Sequence, residues 1–136
     1  MKESILKVKE FHKKFLVPYN NYVTLINKDR YMLRYSLIKE ELDEYLEACE
    51  NKDIVKIADA LGDLLYVVYG TIVEHGLQDY IEDVFNEIHR SNMSKLDENG
   101  KPIFREDGKV LKGKNYFSPD LKSILFNKKR DKNEKS

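Results

Sequence analysis

Apolar residues recur at helical spacing along most of this chain. Ile5, Val8, Phe15 and Leu16 set a first helix over about residues 3–16, and Pro18 ends the pattern because the residue before a proline is pushed out of the helical region. A polar, tyrosine-containing connection follows. Asn27 or Asp29 caps a second helix over about 30–50, and Asp53 caps a third over about 54–75, which Gly76 ends in the left-handed conformation. Ile81, Val84, Phe85, Ile88 and Leu96 mark one stripe of a fourth helix over about 79–95. The pattern predicts an all-α four-helix bundle.

Beyond Leu96 the character changes. Asp97-Glu98-Asn99-Gly100 is turn chemistry, and Asp107-Gly108 between Pro102–Arg105 and Lys109–Lys112 predicts a small C-terminal β-hairpin. Ser118-Pro119-Asp120 starts a short last helix through Leu125. Residues 1–126 therefore read as one domain, and 127–136 as a charged, disordered tail.

With 136 residues there is room for a core, yet a chain this small gains from association with a copy of itself. The third helix is apolar around most of its circumference, which also predicts association. Net charge is zero with 35% charged residues, so nothing overall favours nucleic acid or an anionic membrane. The most apolar stretch, Leu64–Val73, is about half of the roughly 20 residues a membrane span needs. The single Cys49 excludes an internal disulfide and fits a reducing compartment; with no secretory signal at the start, the expectation is a cytoplasmic protein.

The chemistry lies in acids. Glu40-Glu41-Leu42-Asp43-Glu44 precedes a turn at Asn51-Lys52-Asp53, and Asp59-Ala60-Leu61-Gly62-Asp63 follows it. About a centre near 51.5, Glu44 mirrors Asp59 and Glu40 mirrors Asp63 if the two helices lie antiparallel. Glu44 and Asp59 then each stand about 11 Å from the turn centre, where packed helices are about 8–10 Å apart. On the second helix Glu41 and Glu44 share the angular range of Leu33, Leu37, Tyr45 and Ala48, whereas Asp43, Glu47 and Glu50 point away. Burying unpaired carboxylates costs several kcal/mol, which a cation between them offsets. Oxygen-only donors favour Mg²⁺, or Mn²⁺ as its substitute. On the third helix, Lys56, Asp59, Asp63, Gly70 and Glu74 form a narrow polar stripe that alone reads as its solvent side. The register across the turn decides for a shared site.

Other candidates are less specific. Arg34 projects from the same side as Glu41 and either holds a phosphate or pairs with an acid. Asn92 lies on the apolar stripe of the fourth helix, as ligand or as a hydrogen-bonded buried amide. His12 on the first helix reads as a hydrogen-bonded core residue rather than a ligand. Lys95, Lys109 and Lys112 are candidates for a phosphate tail, and Lys114 lies beside them.

Glu40-Glu41-x-x-Glu44, followed at this distance by an Asp-bearing helix, resembles the MazG-like all-α nucleoside triphosphate pyrophosphohydrolases. Asp59–Gly70 and Glu87–Lys95, with Asp107–Lys112 and Pro119-Asp120-Leu121, look like the phosphoribosyl-ATP pyrophosphohydrolase-like branch. The resemblance spans about residues 5–125. It implies Mg²⁺ ligation by Glu41, Glu44 and Asp63, with Glu40 as the leading acid and Glu40 or Glu44 accepting a proton from water. It also implies hydrolysis of a nucleoside triphosphate to the monophosphate and pyrophosphate and a bundle completed by two or four subunits; Asn92 is then the candidate for substrate orientation and Lys95, Lys109 and Lys112 those for the phosphate tail. The broader family has Glu three residues before the final Asp, where this chain has Ala60; Asp59 is the substitute candidate ligand. A di-iron carboxylate bundle requires Glu-x-x-His pairs, and none of His12, His75 or His89 has Glu three residues earlier. A non-catalytic helical interaction module is the remaining rival, and it predicts indifference to Mg²⁺.

Overall fold

The computed structural model describes residues 1–126, so the expected disordered tail over 127–136 lies outside the described residues. The chain divides into two compact units, Met1–Asp79 and a second that begins at Tyr80. The first holds α1 (Lys2–Lys14), α2 (Lys28–Glu50) and α3 (Ile54–Glu74); the second holds α4 (Ile81–Met93) and α5 (Leu121–Phe126). All regular structure among the described residues is helical.

The helix ends follow local chemistry. Asn27 accepts a hydrogen bond from the Arg30 amide at 3.0 Å and starts α2. Asp53 accepts from the amides of Val55 and Lys56, both at 3.1 Å, and starts α3. Between them the chain reverses at Lys52, whose φ of 54° places a lysine in the left-handed region. Gly76, at φ 70°, ends the α3 segment, and a Cβ there would collide with the Tyr22 carbonyl. The 17–27 connection is knitted to that end: the Asn20 amide donates to Val73 O at 3.1 Å, and the Thr24 amide to His75 O at 3.0 Å.

The first unit has a thin core. Ile5 and Val8 of α1, Ala48 of α2, and Ala60 and Val73 of α3 are its buried apolar residues. Ala48 and Ala60 are small, and they let α2 and α3 approach closely beside the turn. The opposite end is held by charge. Glu74 is fully buried and takes a bidentate bond from Arg30 (Nε 2.5 Å, Nη2 3.0 Å), while Arg34 Nε lies 3.7 Å from it. Arg34 also donates to Thr71 Oγ1 at 3.0 Å and to Val67 O at 2.8 Å. Gly70 lies against this guanidinium, and a Cβ there would overlap it. The polar stripe of α3 is therefore not simply its solvent side. Beyond Asp63 it turns inward, because α2 offers two arginines to neutralise its last acid. His12 is a buried core residue whose Nδ1 donates to Pro18 O at 2.9 Å, and burial holds its pKa below the ordinary value.

In the second unit the Glu87 carboxylate joins elements by accepting from Arg90 (2.7 and 3.1 Å) and from the Asp120 amide at 2.6 Å. Ser91 is buried and donates to Phe117 O at 2.7 Å. Asp120 caps α5 through the Ser123 amide and hydroxyl. The expected β-hairpin is reduced to a single antiparallel bridge, Phe104 with Val110, around Gly108 at φ 90°. Two such short segments without a third strand or a packed face do not sustain a ladder.

Much apolar surface is left uncovered. Leu42 and Leu46 on α2, and Leu61 and Leu65 on α3, are all exposed, with Leu65 at 53%. No helix among the described residues is long and apolar enough to cross a membrane.

Replacing Glu74 by Ala strands Arg30 and Arg34 without a counter-charge and is expected to cost about 3–5 kcal/mol, read as a lower urea midpoint. Lys39→Ala opens only the exposed Lys39–Asp43 pair, and should leave that midpoint where it was.

Candidate metal and phosphate site

The α2–α3 hairpin brings three of the predicted acids together. One carboxylate oxygen from each of Glu41, Glu44 and Asp63 lies within 4.8 Å of the others. Glu41 and Glu44 are one turn apart on α2 and so share a face, and Asp63 faces them from α3. The mirror pairing about the turn is displaced, since Asp63 meets Glu41 and Glu44 rather than Glu40. The reason is angular: Glu40 sits one residue round the helix from Glu41 and is exposed.

Asp59 lies outside this group. It lines a separate cavity of about 260 Å³ with Glu44, Glu47, Asn51 and Lys56, so Glu44 stands between the two features. Ala60 is buried, 2% exposed, and lines the same cavity. The acid that the resemblance implies at position 60 is therefore not supplied at the same place by Asp59.

The electrostatics of the three acids are unbalanced. Glu41 Oε2 is buried and has no hydrogen-bond partner. Burial pushes the Glu41 pKa up to about 7, helped by a hydrogen bond to Glu44 and by the charges of Glu44, Asp63 and Glu40. Burial, followed by the charges of Asp59 and Glu44, also raises Asp63. No cation side chain enters this triad in any described ion pair. An orphaned buried oxygen among hard carboxylate donors fits a divalent cation of the Mg²⁺ type. Such an ion supplies the charge that the protein itself withholds.

The remaining predicted residues are placed elsewhere. Arg34 belongs to the same unit, but it is buried and its bonds run to α3, so it acts as a strut rather than as a free phosphate hook. Asn92 is exposed together with Phe85 and Ile88; the buried position on α4 is Ser91, drawn in by its bond to Phe117. The Lys95 carbonyl accepts from the Gly113 amide at 2.9 Å, Lys112 Nζ lies 4.7 Å from the Tyr116 ring centroid, and Lys109 is exposed. These four residues lie in the second unit. The sequence reading placed Glu74 on the polar stripe of the third helix without a partner, and passed over Arg30. A signal was available: about the same turn centre Arg30 mirrors Val73, one residue from Glu74, with Arg34 one helical turn beyond.

Residues 8–92 match the family described as phosphoribosyl-ATP pyrophosphohydrolase. An uncharacterised protein of Acanthamoeba polyphaga mimivirus is 32% identical over 98 residues, which is 72% of this chain and 35% of that protein. The chain thus spans about a third of that relative's length. A crystal structure of a candidate NTP pyrophosphohydrolase from Exiguobacterium sp. 255-15 is 26% identical, covers 98% of each chain and gives a TM-score of 0.48.

A pH prediction follows from Glu41. The folded state holds its proton more tightly than the unfolded chain does, so that contribution to stability is complete below about 4.5 and is lost as pH rises through about 7. In divalent-free buffer the melting temperature should fall across that window, and Glu41→Gln, which cannot ionise, should flatten the fall. A wild-type profile that rises over this range would contradict the assignment.

Proposed function

The chain belongs to the phosphoribosyl-ATP pyrophosphohydrolase family, within the MazG-like superfamily, and on that premise we propose that it is a divalent-metal-dependent nucleotide pyrophosphohydrolase. Its reaction splits a nucleoside triphosphate into the monophosphate and pyrophosphate, with a role in clearing unwanted nucleotides. The observation that carries this reading is the convergence of Glu41, Glu44 and Asp63 around an unpartnered buried oxygen.

Those three carboxylates would hold Mg²⁺, with Mn²⁺ as a substitute. When bound, the ion neutralises phosphate charge and acidifies water at neutral pH. The side chains do the rest. Glu41, pushed up to about 7, gives up its proton to take part in binding the ion, so affinity should increase with pH through that range. Glu40 stands next to Glu41 on the exposed side of α2, where it can orient water or accept its proton. Glu44 is the other candidate base, and it borders the cavity shared with Asp59. Asp59 would contact an ion through water, since its carboxylate is not among the three that converge. In this proposal Asn92, Lys95, Lys109 and Lys112 serve the substrate.

The exposed leucines of α2 and α3 support assembly of two or four copies, because monomers seldom leave so much apolar surface uncovered. A nucleotide substrate and one unpaired cysteine fit the cytoplasm. Phosphoribosyl-ATP is the second substrate reading, favoured by the description of the family itself.

The test is a panel of ordinary and base-modified nucleoside triphosphates with phosphoribosyl-ATP beside them. At least one member should release pyrophosphate with Mg²⁺ and none after chelation. Glu41→Gln should reduce that turnover about 100-fold or more. Mg²⁺ at a hundred times its Kd should stabilise the wild type by about 2.7 kcal/mol. A folded Glu41→Gln protein with full activity, or a wild type indifferent to Mg²⁺, would return the chain to the non-catalytic reading.

A further inference from the structure

Three buried side chains seat α1 on the rest of the first unit: Ile5, Val8 and His12. Of these only His12 can change its charge near neutral pH. Its surroundings are built by the backbone. Directly after α1 the chain turns at Leu16, whose φ of 57° lies in the left-handed region that residues with a Cβ seldom adopt. The Val17 amide closes this turn by donating to His12 O at 2.8 Å, and the turn brings Pro18 O within 2.9 Å of His12 Nδ1. A carbonyl can only accept, so Nδ1 carries the proton of the neutral ring and Nε2 the lone pair.

Nε2 meets a guanidinium. A Cβ on Gly70 would lie 2.9 Å from His12 Nε2 and would overlap Arg34 Nη2, so both nitrogens use the room that this glycine leaves open on α3. Arg34 is 6% exposed and donates to Thr71 Oγ1 and Val67 O, so it cannot swing away without losing both bonds. Glu74 is the only carboxylate among the described groups that act on His12, and Arg30 and Arg34 already engage it. The other titratable groups nearby are Lys9 and Lys13 on α1, each 5.7 Å from the Tyr19 ring centroid, then Tyr19 on the connection and Tyr66 of α3.

We infer that His12 is a proton-operated latch: uncharged, it seats α1 on α3 beside Arg34, and on taking a proton from water at Nε2 it releases that helix. The imidazolium would be a third cation around one carboxylate, in a place closed to solvent. A buried charge that is neither paired nor hydrated is costly. Moving α1 relieves it, because only Ile5 and Val8 then hold that helix by burial. Burial holds the ring below its ordinary value of 6.5, and the Arg34 charge adds to this, while the Pro18 bond works against both. A released helix therefore takes up the proton before a seated one does. The latch is closed above about 6.5 and is weakened as pH falls below it, by at most about tenfold in the released-to-seated ratio per pH unit. Neither metal nor substrate is needed for this.

NMR of the imidazole signals in the full chain, in divalent-free buffer, tests the latch directly. His12→Asn identifies the His12 signal by its loss and keeps a donor for Pro18 O. The wild-type His12 signal should titrate below 6.5. Amide exchange across α1, corrected for its intrinsic rate, should quicken by up to about tenfold between pH 6.5 and 5.5 relative to α2 and α3, and should not do so in His12→Asn. Glu41 contributes with the opposite sign in the same window, so urea midpoints are compared with position 41 held uncharged. From pH 7 to pH 5 the midpoint of Glu41→Gln should fall more steeply than that of Glu41→Gln combined with His12→Asn. A His12 signal that titrates at 6.5 or above overturns the inference. So does wild-type α1 exchange that ignores pH, or an equal fall in the two variants. If His12→Asn does not fold, the wild-type titration and exchange still decide.

Discussion

Everything in the first unit depends on how closely α2 and α3 lie and in what register. Beside the turn, Ala48 and Ala60 remove the bulk that would hold the helices apart. At the far end, Arg30 and Arg34 reach across to Glu74, and a buried ion pair of this kind tolerates little axial slip, because a shift of one residue would separate the charges. Contact at one end and charge at the other fix the hairpin as a rigid frame. The acids at positions 41, 44 and 63 lie between these two anchors. Their convergence is a consequence of that frame, since three like charges would otherwise move apart.

The buried Glu74 carboxylate and the buried Oε2 of Glu41 are treated in opposite ways. Glu74 receives two guanidiniums and is satisfied within the chain. Glu41 receives only other acids and keeps one oxygen without a donor. A sequence selected for stability alone would not leave such an imbalance a few turns from a solved example of the same problem. The contrast separates an acid satisfied within the chain from one left open to a cation more clearly than either burial or pKa does alone. It also accounts for Arg34: a residue committed to the frame does its work for the site at a distance, by holding α2 in register.

Much of this was legible in the sequence. The helix starts at Asn27 and Asp53, the end at Gly76 and the all-α class follow from capping chemistry and periodicity; the set Glu41, Glu44 and Asp63 came from the family resemblance, whereas the mirror about the turn paired Glu44 with Asp59 and Glu40 with Asp63. What escaped was the direction in which polar residues face once a third element packs on the pair. The stripe of Gly70 and Glu74 has the same period as a solvated face, and only the arginines on the facing helix reveal that it is buried. The hairpin expected over 102–112 failed for a different reason. Its turn residues are those of a hairpin, but turn chemistry specifies a reversal and not the partner strands needed to extend it. Asn92 fell on a real apolar stripe, yet that stripe is exposed within the chain, so periodicity located the face without telling what covers it.

Position 60 ties the frame to the chemistry. The resemblance of this chain to its superfamily puts an acid there, three residues before Asp63, and in this structure Ala60 is buried and lines the cavity that Glu44, Ala48 and Asp59 also line. A glutamate at 60 would add a carboxylate at a buried position and need a cation or a donor against it. With alanine, position 60 adds no charge to the site. Asp59 cannot take over the same place, because one residue along a helix is a rotation of about 100°, and its carboxylate faces the cavity beside Lys56 instead. The three acids that converge thus make a smaller demand for positive charge than four would.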